Sequence, residues 1–200
     1  MRLYGDYDGK GLSHLEVLYQ EGEREIAVHF LEMLGCLVVD TPAVNDTGTT
    51  YMIVHPDPAD DDPINNVFYL SQIRAQQRDL ERVLGNRIRT DSELGEVLDV
   101  YRNKAQSTPH GIPHFGLRFP SFESIEPVLD RLQNIKDKDL RKRVSVQVVR
   151  PGDKHAMSDN LIQAFVFTDV IAVGLFCFGQ LIELHAQKAP LAAHAASQRA

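Results

Sequence analysis

Gly179-Gln180-Leu181-Ile182-Glu183-Leu184-His185-Ala186 is a run of apolar residues with one carboxylate set among them. Side chains of a strand alternate between its two faces, so Leu181, Glu183 and His185 share one side and Ile182, Leu184 and Ala186 the other. A carboxylate enclosed by such a strand is costly unless it is paired, hydrogen-bonded or bound to a cation. Glu183 therefore needs a partner, and the rest of the chain must supply it.

Upstream, Asn66-Val67-Phe68-Tyr69-Leu70 alternates in the same way, with Tyr69 where the later strand has Glu183. Two further stretches match each other: His14-Leu15-Glu16-Val17-Leu18-Tyr19 and His114-Phe115-Gly116-Leu117-Arg118-Phe119. Each is followed by a turn and an amphipathic helix. The first helix, over Arg24 to Leu34, has Ile26, Ala27, Phe30, Met33 and Leu34 at helical spacing and stops at Gly35. The second, over Ser121 to Leu132, has the stripe Ile125, Val128, Leu129 and Leu132, with Ser121 or Ser124 as its cap.

Cys36 to Asp40 and Tyr51 to His55 form a hairpin across the turn residues Pro42, Asn45, Asp46 and Gly48. Val144 to Val149 and Leu161 to Phe167 complete the strands of the second half. Between the halves, Arg74 to Gln106 is polar and charged with scattered apolar residues. It predicts one or two helices packed on the outside as a connector, closed by Pro109, Gly111 and Pro113. The divisions are a first βαβββ module over 1–73, a helical connector over 74–113, a second βαβββ module over 114–187 and a flexible tail over 188–200.

This internal repeat resembles the vicinal oxygen chelate superfamily, which includes glyoxalase I, extradiol dioxygenases and bleomycin-resistance proteins. The residues that carry the likeness are the two strand-opening histidines, Phe-Leu-Glu-Met-Leu-Gly at Phe30 to Gly35, and Ile-Glu-Leu at Ile182 to Leu184. The resemblance implies an α+β fold in which two βαβββ modules form a cup-shaped mixed sheet around one divalent metal. It implies His14, His114 and Glu183 as the metal ligands.

Two neutral imidazoles and a carboxylate form a facial triad with open positions, suited to Fe2+, with Mn2+, Ni2+ or Zn2+ as alternatives. A substrate with two adjacent oxygens could chelate there, with the metal as Lewis acid or, if iron, activating dioxygen. Many glyoxalase-type sites have a fourth carboxylate where this chain has Tyr69. That departure weighs against a glyoxalase and towards an extradiol-type dioxygenase. A lyase, isomerase or transferase with a non-redox metal, and a metal-free small-molecule binder, stand as alternatives. Tyr69 could serve as a hydrogen-bond donor or general acid, and His155, in the loop from Pro151 to Asn160, as a mobile acid or base.

Each of these residues has a plainer reading. His14 and His114 could cap strands at the surface, and Glu183 could simply pair with Arg118. With a metal present, Arg118 would be left to bind an anionic substrate group. His110 competes with His114 as a ligand, but Pro113 and the alternation that follows favour His114. His185 reads as rim, His55 as structural and His29 as exposed.

Composition bounds the remaining readings. In 200 residues the net charge is -7, so there is no basic excess for binding nucleic acid. Lys136 to Arg143 is interrupted by Asp137 and Asp139 and reads as a solvated helix end or loop. Cys36 and Cys177 sit in apolar contexts and suit reduced core thiols of a cytoplasmic protein. No apolar run approaches membrane-spanning length. A homodimer through sheet edges is a further expectation of the resemblance. Nucleotide cradles, zinc ribbons and esterase elbows are absent at motif level.

Overall fold

The computed structural model describes residues 12–41, 51–60 and 62–188. The expected turn at Pro42 to Gly48 and the tail from 189 onwards lie outside the described residues.

The first half runs β1 (His14–Tyr19), α1 (Arg24–Met33), β2 (Leu37–Asp40), β3 (Tyr51–His55) and β4 (Val67–Gln72). Two connector helices follow, α2 (Ala75–Thr90) and α3 (Ser92–Ser107). The second half runs β5 (His114–Phe119), α4 (Phe122–Gln133), α5 (Lys138–Arg143), β6 (Val144–Val149), β7 (Leu161–Thr168), the two-residue β8 (Ile171–Ala172) and β9 (Gln180–Gln187). The fold is α+β, built on two mixed sheets.

One sheet has the order β2-β3-β4-β1-β8 and the other β5-β9-β7-β6. The opening strand of each half pairs in parallel with the closing strand, β1 with β4 and β5 with β9, and the other pairs within each half are antiparallel. The register repeats as well. His14 lies opposite Val67 and His114 opposite Leu181, so Tyr69 and Glu183 occupy the same ladder position in their sheets.

One face of each sheet turns inward on a shared core. Val17, Met52, Val54 and Leu70 from the first sheet join Ile162, Ala164, Val166, Ile182 and Leu184 from the second, with Phe30 and Leu31 of α1 and Ile125 and Leu129 of α4. Burying apolar surface is the main stabilising term, so this continuous core makes the two halves interdependent. The halves also meet where Arg131 of α4 donates to the Met33 carbonyl. The α4 start is a capping box: Ser121 accepts from the Ser124 amide, and Ser124 returns the bond to the Ser121 amide.

The structure adds to three expectations. The connector is two helices, and only α2 has no buried residue. Helix α3 lies on the outer face of the second sheet, because Tyr101 and Ala105, one turn apart, meet Val149, Phe165, Phe167 and Leu181. The basic stretch before β6 contains a true helix: Asp137 caps it by accepting from the Asp139 and Leu140 amides, and Leu140 is fully buried. Its last residue, Arg143, ties Glu23 at the start of α1 to Asp169. Lys188, assigned to the tail, is held by the Asn160 carbonyl and lies over the Phe122 ring.

Candidate functional site

The face of β9 that carries Glu183 is the one turned away from α4. Ladder register fixes its neighbours. One row across the sheet is Gly116, Glu183, Phe165 and Gln147, and the next is Arg118, His185, Gln163 and Val149. Half of this surface, around Phe165, Phe167 and Leu181, is apolar and covered by α3. The other half, towards β5, is a cluster of polar side chains.

Glu183 is the centre of that cluster, with its side chain 17% exposed. One oxygen, Oε2, is 3.1 Å from His114 Nε2, and the other, Oε1, accepts from the Gln163 amide at 2.8 Å. His185 Nδ1 stands 3.8 Å from Oε1. The partner foreseen in Arg118 is not the one chosen: among the described residues Arg118 forms no ion pair with Glu183, and its buried Nε has no hydrogen-bond partner. Gln163 supplies that bond instead, one strand over.

The orientation of His114 has a chemical consequence. Its Nδ1 is 2.7 Å from the Ile112 carbonyl, which can only accept, so Nδ1 carries the proton. In the neutral ring Nε2 is then a lone pair, and it points at a carboxylate oxygen. Two acceptors at this distance need a positive charge between or on them, either a proton that makes an imidazolium–carboxylate pair or a cation that both ligate. His185 is held below the usual histidine range chiefly by burial, with Arg118 pushing the same way and Glu183 opposing.

His14 and Tyr69 belong to the other sheet. They stack with centroids 4.9 Å apart, and Tyr51 meets Tyr69 edge-on at 5.3 Å. His14 also shares a hydrogen bond with Ser13. Among the described residues no group of three or more His, Cys, Asp or Glu side chains is gathered to hold a metal. Of the expected triad, His114 and Glu183 are together and His14 is not gathered with them. The physical reason is that the histidines open strands in separate sheets, so a matched position in a repeat does not by itself bring two residues to one point.

The donors still fit a divalent ion in part. Two cis ligands, each about 2.1 Å from a first-row metal, are roughly 3 Å apart, close to the 3.1 Å between His114 Nε2 and Glu183 Oε2. The carbonyl on Nδ1 and the amide on Glu183 are the outer contacts that orient ligands of this kind.

His155 is exposed in the loop between β6 and β7, while its neighbour Ala156 packs on the α3 cluster. His110 is exposed and lies against Phe165 with centroids 5.0 Å apart. His29 is exposed. His55 is buried with Nδ1 unpartnered. Gln163 and Gln147 escaped the sequence reading, although a glutamine inside each apolar strand was the available signal. Cys36 is buried, and burial pushes its thiol up to about 12. Cys177, half-buried, is raised by burial first and by Glu81 second.

No family model matches the chain, and no curated protein matches it. Among solved structures it is similar to an integron cassette protein, HFX_CASS4, from the mobile metagenome of the Halifax Harbour sewage outfall. That likeness is at 15% identity and a TM-score of 0.40, covering 89% of this chain and 99% of the other. No helix among the described residues is long and apolar enough to cross a membrane.

Proposed function

We propose that the protein is a divalent-metal enzyme of the vicinal oxygen chelate type acting on a small oxygenated molecule, with His114 and Glu183 as the protein donors at its centre. The observation that carries the reading is the His114 ring: its Nδ1 is held by the Ile112 carbonyl, and its Nε2 meets a Glu183 oxygen at 3.1 Å, a spacing that two cis ligands of one cation would have. The duplicated strand order and register support the family assignment. Iron is the favoured metal and an extradiol-type dioxygenase the favoured class, with a lyase, isomerase or transferase as the non-redox form.

When bound, the metal would supply Lewis acidity and, as Fe2+, redox chemistry with dioxygen. The chain's own residues have separable tasks. Ile112 fixes the His114 tautomer, Gln163 fixes the Glu183 carboxylate, and the α3 cover of Tyr101 and Ala105 with Phe165 keeps water from one side. Arg118 offers its guanidinium to an anionic part of the substrate.

A second reading, a metal-free binding protein, is favoured by the separation of His14 from the other two residues. Elemental analysis of anaerobically purified protein and of His14→Ala, His114→Ala and Glu183→Ala decides between them. The proposal expects about one metal per chain, lost in His114→Ala and Glu183→Ala. Iron would be followed by oxygen uptake with catechols, and another metal by oxygen-independent turnover. Metal-free wild type after reconstitution would leave the binding reading.

A further inference from the structure

Strand β5 is an edge of its sheet, and a cavity of about 240 Å3 lies along it. Pro56, Pro58 and Asn66 of the first half form one wall, and Gly116, Arg118 and Phe119 of β5 the other. The volume is below the roughly 300–1,000 Å3 of sites for drug-sized ligands and suits a molecule of about one ring.

The polar content of this cavity is unbalanced. Arg118 lines the cavity and makes no hydrogen bond or ion pair among the described residues. Its Nε is shut off from water and so from a ligand too, which leaves the terminal fork of the guanidinium, always charged and matched to a carboxylate, as the group a ligand would meet. The acidic side chain at the cavity, Asp57, is turned to its own turn, where Oδ1 accepts from the Ala59 amide at 3.0 Å. Glu183 is committed to His114 and Gln163.

Gly116 supplies open space beside Arg118. It sits between His114 and Arg118 on the same face of β5 and directly opposite Glu183 in the ladder. A Cβ added there would come no closer than 3.6 Å to another atom, the Glu183 carbonyl oxygen, so the face is bare rather than packed. Successive side chains on one face of a strand are about 6.6 Å apart, so a one-ring molecule held by Arg118 would lie over Gly116.

We propose that this cavity binds a small aromatic or alicyclic carboxylate, its carboxylate on Arg118 and its ring over Gly116.

The test uses metal-free, full-length protein with benzoate as the probe and benzamide as its uncharged counterpart, followed by titration calorimetry and ligand-observed NMR. Benzoate is expected to bind at least about tenfold more tightly than benzamide. Arg118→Met should abolish the preference, Arg118→Lys should retain part of it, and Gly116→Val should block benzoate while the thermal midpoint reports that the variant is folded. Equal binding of the two probes, no benzoate binding up to about 20 mM, or an unchanged preference in Arg118→Met each overturns the proposal. Those results leave the metal measurements on His114→Ala and Glu183→Ala untouched, and loss of the metal reading leaves the benzoate preference standing.

Discussion

Leu70 and Leu184 occupy matching places in the two halves and are both fully buried. Leu70 lies between Val17 and Met52 in the ladder, and Leu184 between Leu117 and Ala164. Replacing either by alanine removes three side-chain carbons from one continuous core. Leucine-to-alanine changes at such positions cost about 2.7–5 kcal/mol, the upper values applying where the surroundings cannot collapse. A β-sheet held on both sides by paired strands collapses poorly, so a loss of about 3–5 kcal/mol is expected at each site. For a chain of this size each kcal/mol lowers the thermal midpoint by about 2–4 °C, which gives a drop of roughly 6–20 °C. The assay is calorimetry on both variants, with hydrogen exchange read at β9 in Leu70→Ala and at β4 in Leu184→Ala. A shared core requires one transition and loss of protection in the half that was not mutated. Two separate transitions, or exchange changed only in the mutated half, would refute the reasoning that the halves depend on one another.

Gly179 has φ of 73°, and a Cβ there would lie 2.2 Å from the Phe167 ring. Gly179→Ala should therefore cost at least about 2 kcal/mol and disturb the start of β9, seen as a lower midpoint and altered amide shifts from Gln180 to Glu183; an unchanged midpoint would count against the close approach. Cys36 should resist Ellman's reagent at pH 8 in the native state, because its thiol is held near 12 by burial. The unfolded thiol ionises first, near pH 9, so the Cys36 contribution to stability should fall as pH rises from about 9 towards 12. Replacing Cys36 by valine should flatten that part of the profile; an identical alkaline slope would remove Cys36 as its source.

Much of the architecture was legible because the two periodicities rarely conflict here. Alternation in His14–Tyr19 and His114–Phe119, helical spacing in Arg24–Met33 and a stop at Gly35 each point one way, and the structure has those elements. The repeat was legible for the same reason: matched opening and closing strands imply a matched ladder. The surface that helix α3 covers was not legible, because its inner stripe is short and charge at Glu93, Glu96 and Asp99 outweighs it in the sequence. What it covers is decided by Phe165 and Phe167, more than fifty residues away in the chain. The same holds for the site. The need of Glu183 for a partner is a local inference, whereas the identity of that partner is a cross-strand fact, and Gln163 became visible only once β7 was paired in register. His14 shows the converse, since a sequence repeat matches positions within each sheet and says less about the distance between the sheets.

The centre of the account is the meeting of His114 Nε2 with Glu183, the Nδ1 proton being held by Ile112. Long-range 1H–15N NMR of the imidazole, before and after one equivalent of Zn2+ as a diamagnetic ion, reads it directly. The account predicts a proton on Nδ1 throughout and a large shift of Nε2 on adding zinc, absent in Glu183→Ala. A ring protonated on Nε2 with Nδ1 free, or spectra that zinc leaves unchanged, would contradict it.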